Sequence, residues 1–223
     1  MIEKASGDQQ EAQRIDAELS TPAARFSARF SARPATTQLQ QRIIRHERNQ
    51  LTEFLEELEG TEAIARAASM IVAARRRFLA GSGRSHIFAR LLEFDLSVGL
   101  GQVSLVDDTH IRMLDVLTDV RSSDVLIVFS LRRFRSEVTR FLHEYHARGG
   151  KIVVITNSQD SPAVQYAEEA IFVPTRSESY TDSGIGVVAV SQLLAALATS
   201  SAKGARRRLA EREELIEAME IYR

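Results

Sequence analysis

FLAGSGRS, residues 78–85, carries an apolar strand end, Phe78, Leu79 and Ala80, into Gly81, Ser82, Gly83 and Ser85, and then into an amphipathic helix. Two glycines allow the backbone to take positive φ and to approach a ligand closely. A helix starting near Ser85 offers unpaired N–H groups and a positive dipole end to an anion. This is a phosphate-cradling pattern, although Gly-Ser-Gly after a strand also serves as an ordinary tight turn.

Working outward, short β-rich runs recur at residues 78–80, 102–106, 125–129, 151–156 and 170–173, with helical patterns in the gaps. Mostly apolar strands alternating with helices predict an α/β fold, a doubly wound five-stranded parallel sheet covered by helices on both faces. In such a sheet ligands sit at the carboxyl ends of the strands, where the strand order reverses. The loops after the strands are therefore the place to look for chemistry.

Three loops carry suitable groups: residues 81–85 after the first strand, residues 130–137 (SLRRFRSE) after the third, and Thr156, Asn157 and Ser158 after the fourth. The second is unusual, with Arg132, Arg133 and Arg135 within four residues. Guanidinium forks bind phosphate oxygens bidentately, and Ser130 and Ser136 add hydroxyls beside a helix start. A solvated basic loop, or an ion-pair network with Glu137, is the bland alternative.

Upstream, Leu39, Ile43, Ile44, Leu51, Phe54, Leu55 and Leu58 recur at helical spacing and predict a helix over residues 39–58, with Gly60 behind it. A second helix is expected over residues 61–75, with Thr61 as N-cap, Ile64, Ala67, Ala68, Ile71 and Val72 on one face, and Arg75, Arg76 and Arg77 closing it. Ahead of these, Arg25, Arg29, Arg33, Arg42, Arg45 and Arg48 face only Glu47 in charge, so the N-terminal segment is basic. Residues 9–19 read as one short polar helix, and Pro22 suits a first helical turn. Toward the C-terminus, residues 174–183 form a polar loop and residues 184–198 an apolar helix. Residues 204–223 place Leu209, Leu215, Ile216, Met219 and Ile221 among many charges, an amphipathic helix.

Composition narrows the function classes. The chain has 223 residues, 44% hydrophobic, with a formal net charge of -1, which suits one α/β domain and gives no overall field toward nucleic acid. Cysteine is absent, so disulfides, thiolate zinc sites and cysteine nucleophiles are excluded. No apolar run spans a bilayer and the first ten residues lack a signal-peptide core, so a cytoplasmic protein without a membrane partner is expected. Asp107, Asp108 and His110 lie close in sequence but read as a loop cap, and no metal or cofactor is expected.

The order of motifs resembles the sugar isomerase (SIS) domain, over roughly residues 50–200. Gly81-Ser82-Gly83-Arg84-Ser85 matches its Gly-x-Gly-x-Ser element, Ile155-Thr156-Asn157 its Ile-Thr-Asn element, and Ser161-Pro162 the Ser-Pro after it. Within that superfamily the chain resembles the RpiR transcriptional regulators, with residues 48–58 similar to their linker helix. In the phosphate loop, the family pattern Ser-x-Ser-Gly-x-Thr-x-Glu keeps its outer Ser130 and Glu137 but carries Arg132, Arg133 and Arg135 between them.

The resemblance implies a phosphosugar or related anionic carbohydrate derivative as effector, held by Gly81, Ser82, Gly83, Ser85, Ser130, Arg132, Arg133, Arg135, Ser136, Glu137 and Ser183. It also implies a homodimer and, through the N-terminal region, DNA as a partner. Only some 46 residues precede the linker helix here, fewer than a complete helix-turn-helix module takes, which leaves DNA binding open. The implied organisation is an N-terminal basic arm or helix-turn-helix remnant over 1–46, the SIS domain over 47–202 and a C-terminal helix over 203–223. A stand-alone phosphosugar isomerase is the alternative. In such enzymes a carboxylate moves a proton between sugar carbons and a histidine opens the ring, roles that would fall to Glu137 and His86. His143 and His146 are expected to face solvent.

Overall fold

The computed structural model describes residues 21–31 and 35–222; the helix expected over residues 9–19, and Arg33, lie outside them. The chain divides into two compact units, Met1–Leu55 with Pro174–Ile185, and Glu56–Val173 with Gly186–Arg223.

The larger unit is built on a five-stranded parallel sheet: β1 (Arg77–Gly81), β2 (Val103–Leu105), β3 (Val125–Ser130), β4 (Lys151–Thr156) and β5 (Glu169–Phe172), in the order β2-β1-β3-β4-β5. Each strand matches an expected run to within one or two residues. Every residue of β3 and all but the first of β4 are buried, as parallel strands covered on both faces must be. One face presents Phe78, Ala80, Leu126, Val128, Ile152 and Val154. Val138, Phe141, Leu142 and Tyr145 of the helix Ser136–Ala147 pack there. On the other face Phe129 meets Phe88 with ring centroids 6.4 Å apart. Phe88 belongs to the helix Arg84–Gly99, which also buries Ala89, Leu92 and Leu96. Each such fully buried Leu, Ile, Val or Phe contributes about 2 kcal/mol to folding.

Numbered in chain order, the helices are α1 (Pro22–Phe30), α2 (Thr36–Glu59), α3 (Ala63–Ala73), α4 (Arg84–Gly99), α5 (Met113–Asp119), α6 (Ser136–Ala147), α7 (Ile185–Ser201) and α8 (Ala205–Ala218). In α3 four residues of the expected face, Ile64, Ala67, Ala68 and Ile71, are buried, and the fifth, Val72, is half-buried. Its ends differ from expectation. Glu62 takes the cap position while Thr61 Oγ1 accepts the Ala63 N–H at 3.3 Å, and the helix stops at Ala73. The three arginines do not extend it. Arg75 and Arg76 both reach the buried carboxylate of Asp124, at 3.2 and 2.7 Å. Arg77 opens β1, and its guanidinium turns back onto the carbonyls of Ile71 and Val72 at the end of α3. Burial opposes the charged form of Asp124, but the Arg76 and Arg75 guanidiniums and the Arg121 N–H outweigh it and hold the carboxyl below its ordinary range.

The expected loop cap at residues 107–110 is present. Asp107 Oδ1 accepts N–H bonds from Thr109, His110 and Ile111, and Asp108 Oδ1 accepts that of Met113. His143 and His146 are exposed on α6, against Tyr166. Helix α7 buries Val187, Val190, Leu194 and Ala198 but leaves Leu193 and Leu197 in solvent. Helix α8 forms where expected, yet only Ala205 is buried, and Leu215 is 60% exposed. Among the described residues no single helix is long and apolar enough to cross a membrane.

In the smaller unit, α1 opens on Thr21, whose Oγ1 accepts the Ala24 N–H at 3.1 Å, with Pro22 in the first turn. The segment Pro174–Ile185 is tied to both helices of this unit. Arg25 pairs with Asp182, Arg29 donates to the Ser179 carbonyl, and Arg42 meets Glu178 at 3.3 Å. The rings of Phe26 and Tyr180 meet edge to face at 6.2 Å.

Candidate functional site

Strand order fixes where a ligand can be met. From β1 the chain crosses to β2 on one side, and its other neighbour is β3, so the order reverses between β1 and β3. In register, Gly81 lies opposite Phe129 and Ser130 opposite Thr156. The carboxyl ends of β1, β3 and β4 therefore stand side by side, and the three loops singled out from sequence leave the sheet together at its reversal.

The glycine loop is shaped by contact as much as by torsion. A Cβ on Gly81 would lie 2.6 Å from the backbone carbon and oxygen of Ser85, so only glycine fits where the strand turns under the first turn of α4. Gly83 caps that helix at φ 59°, in the region that favours glycine. Ser85 is buried inside the first turn, and Ser82 Oγ lies 3.4 Å from Glu137 Oε1.

The arginine loop is held from beneath by three polar contacts. The Ser130 hydroxyl is buried and pairs with that of Ser161 at 3.1 Å, while Thr156 Oγ1 donates to the Ser130 carbonyl at 2.6 Å. The Arg132 N–H donates to Asn157 Oδ1 at 2.9 Å. With its root pinned, the loop passes through Arg133 at φ 70° and enters α6 at Ser136. Arg135 contacts Glu137 at 3.4 Å, both side chains more than half exposed. Among the described residues the Arg133 guanidinium has no hydrogen-bond or ion-pair partner.

Between the loops lies a small cleft open to solvent, lined by Ser82, Ser85, Ser130, Arg133, Phe134 and Arg135 among others. Ten of the eleven expected ligand residues belong to these loops. Glu137 is engaged by Arg135 and Ser82, so the ion-pair network weighed from sequence is present, with Arg133 outside it. His86, in the first turn of α4, is half-buried.

Ser183 belongs to the smaller unit. Its hydroxyl donates to Glu47 Oε2 at 2.6 Å, and the Ser177 hydroxyl to Glu47 Oε1 at 3.4 Å. Sequence offered no pointer to Glu47, which reads as one acid in a basic run; its role follows from a pairing across 136 residues. The basic run is partly spoken for: Arg25 is only 7% exposed, whereas Arg45 and Arg48 stand in solvent.

Residues 70–202 match the model of the SIS domain. The chain belongs to the SIS domain family. The fold agrees with solved SIS structures. The sugar isomerase domain of an RpiR transcription factor from Sphaerobacter thermophilus superposes with a TM-score of 0.70 at 25% identity, over 79% of this chain and 99% of that one. The Vibrio vulnificus NanR protein complexed with ManNAc-6P gives 0.65 at 18%, over 82% and 72%. The protein c3406 of E. coli CFT073 in complex with A5P gives 0.53 at 20%, over 74% and 92%. No protein with a curated description matches the chain.

Proposed function

We propose that this SIS domain binds a phosphosugar or related anionic carbohydrate derivative as an effector, within a cytoplasmic, homodimeric regulator of the RpiR type. The observation that carries the reading is Arg133, a guanidinium without a partner at the sheet's reversal point, beside Arg135 and the start of α6. A phosphate would be met there by guanidinium forks and helix-end N–H groups. NanR and c3406, which share the fold, are described with phosphorylated sugars bound, in keeping with that ligand class.

Arg133 and Arg135 of this loop face solvent, so the phosphate is met at the open side of the cleft between the loops after β1 and β3. Dimerisation is assigned to the side of α7 that leaves Leu193 and Leu197 in solvent. DNA binding rests on the N-terminal segment, where Arg42, Arg45 and Arg48 of α2 are exposed and Arg42 is paired with Glu178.

Two assays on the same preparation test this. A regulator retains duplex operator DNA at low salt, releases it as salt rises, and changes that retention when a sugar phosphate is added. The isomerase alternative interconverts an aldose and a ketose phosphate and loses that activity in Glu137→Gln. Turnover with no effector-dependent DNA retention would overturn the regulator reading.

A further inference from the structure

A second cavity, of about 480 Å³, opens at the opposite end of β1, where Arg77 begins the strand and Gly101 leads toward β2. Four residue steps, about 13 Å of strand, separate Arg77 from Gly81 and the loops discussed above. Its walls carry Arg77, Lys203, Arg207 and Arg208 against one carboxylate, Glu211, with Val72 and Leu100 as apolar lining.

Among the described residues Arg77, Arg208 and Lys203 have no carboxylate partner, whereas Arg207 pairs with Glu211. Arg77 is 8% exposed, and its guanidinium donates only to carbonyls, those of Ile71, Val72 and Gly101, at 2.6 to 3.0 Å. Among the described residues no carboxylate pairs with it. Burial accordingly lowers its pKa, which marks an uncompensated charge. Arg208 reaches the same corner, donating to the Ser97 carbonyl at 3.2 Å, with Nη1 3.9 Å from where a Cβ on Gly101 would stand. Two guanidiniums thus converge on one backbone turn. Glu211 faces Arg207 at 3.4 Å in the exposed first turns of α8, so it compensates neither. Lys203 has no partner among the described residues.

We infer that this cavity is an anion site for a phosphate-bearing small molecule, with phosphate oxygens on Arg208, Lys203 and Arg207 and any organic portion against Val72 and Leu100. Guanidinium forks match phosphate geometry, and the volume lies in the range of small-molecule sites. An anion there relieves the like-charge crowding of Arg77 and Arg208.

Titration calorimetry with pyrophosphate, inorganic phosphate and AMP tests the site on the full chain. Wild type and Arg133→Ala should both bind pyrophosphate saturably, and Lys203→Ala/Arg207→Ala at least tenfold more weakly. Glu211→Gln, which removes the one lining carboxylate, should bind more tightly, a gain that misfolding cannot mimic. AMP binding more tightly than inorganic phosphate would assign an organic ligand to the apolar wall; the reverse would assign free phosphate. The site is overturned if wild type shows no saturable binding, if Arg133→Ala abolishes it, or if neither the double variant nor Glu211→Gln changes it.

Discussion

The backbone N–H of Arg132 donates to the side-chain oxygen of Asn157 at 2.9 Å, which ties the loop after β3 to the loop after β4. The bond fixes the root of a loop whose outer residues carry the positive charge. Asn157→Ala leaves that N–H unsatisfied and should cost about 1 kcal/mol in a urea titration. It should also weaken sugar phosphate binding several-fold, since a looser root misplaces Arg133. A variant with unchanged midpoint and unchanged affinity would show that the bond does not position the loop.

Gly81 is the residue least able to change. Any side chain there meets the backbone of Ser85, which cannot move without unwinding the first turn of α4. Gly81→Ala should destabilise by about 3 kcal/mol, the upper range for overpacking, with ligand binding lost as well. Thermal unfolding of the variant against wild type measures it.

Asp124 gathers Arg75, Arg76 and the Arg121 N–H at the amino end of β3. Its carboxyl is lowered in the folded chain, so its stabilisation is present above the unfolded value, about pH 4, and is lost as pH falls through the folded one. Asp124→Asn should cost about 3 kcal/mol at pH 7, as removal of one partner from a buried ion pair does. Below about pH 4 its stability should fall less steeply than that of wild type, as urea titrations across pH would show.

The Glu47 carboxylate is the shared acceptor of Ser183 and Ser177. Glu47→Ala should leave the segment Pro174–Ile185 less protected, with amide hydrogen exchange over residues 177–183 at least tenfold faster. Equal exchange in the variant would mean that the Arg25 and Arg42 pairs hold the segment without it.

Much of the fold was legible because its signals are local. Five apolar runs bounded by turn residues gave the strands, and the glycine spacing gave the loop under α4. The helix after Gly60 was read with its core face intact, yet its C-terminal arginines were misplaced. Their behaviour depends on Asp124, some 50 residues away, and on carbonyls that Arg77 reaches by folding back. The site was legible to the same degree. Three arginines in four residues marked the loop as a candidate, but not the division of labour among them, since the positive φ at Arg133 and the bracing of the loop by Asn157 and Ser161 have no local sequence signal. Glu47 and the cavity beside Arg208 are long-range assemblies without a sequence pattern.

The most direct measurement is a thermal-shift panel of sugar phosphates, amino-sugar phosphates and their unphosphorylated parents, on wild type and Arg133→Ala. A ligand at a hundred times its Kd adds about 2.7 kcal/mol to stability. An upward shift with phosphorylated members alone, absent in Arg133→Ala, is the expected result. No shift with any sugar phosphate, or an equal shift in the variant, would contradict an effector site at the Arg133 loop.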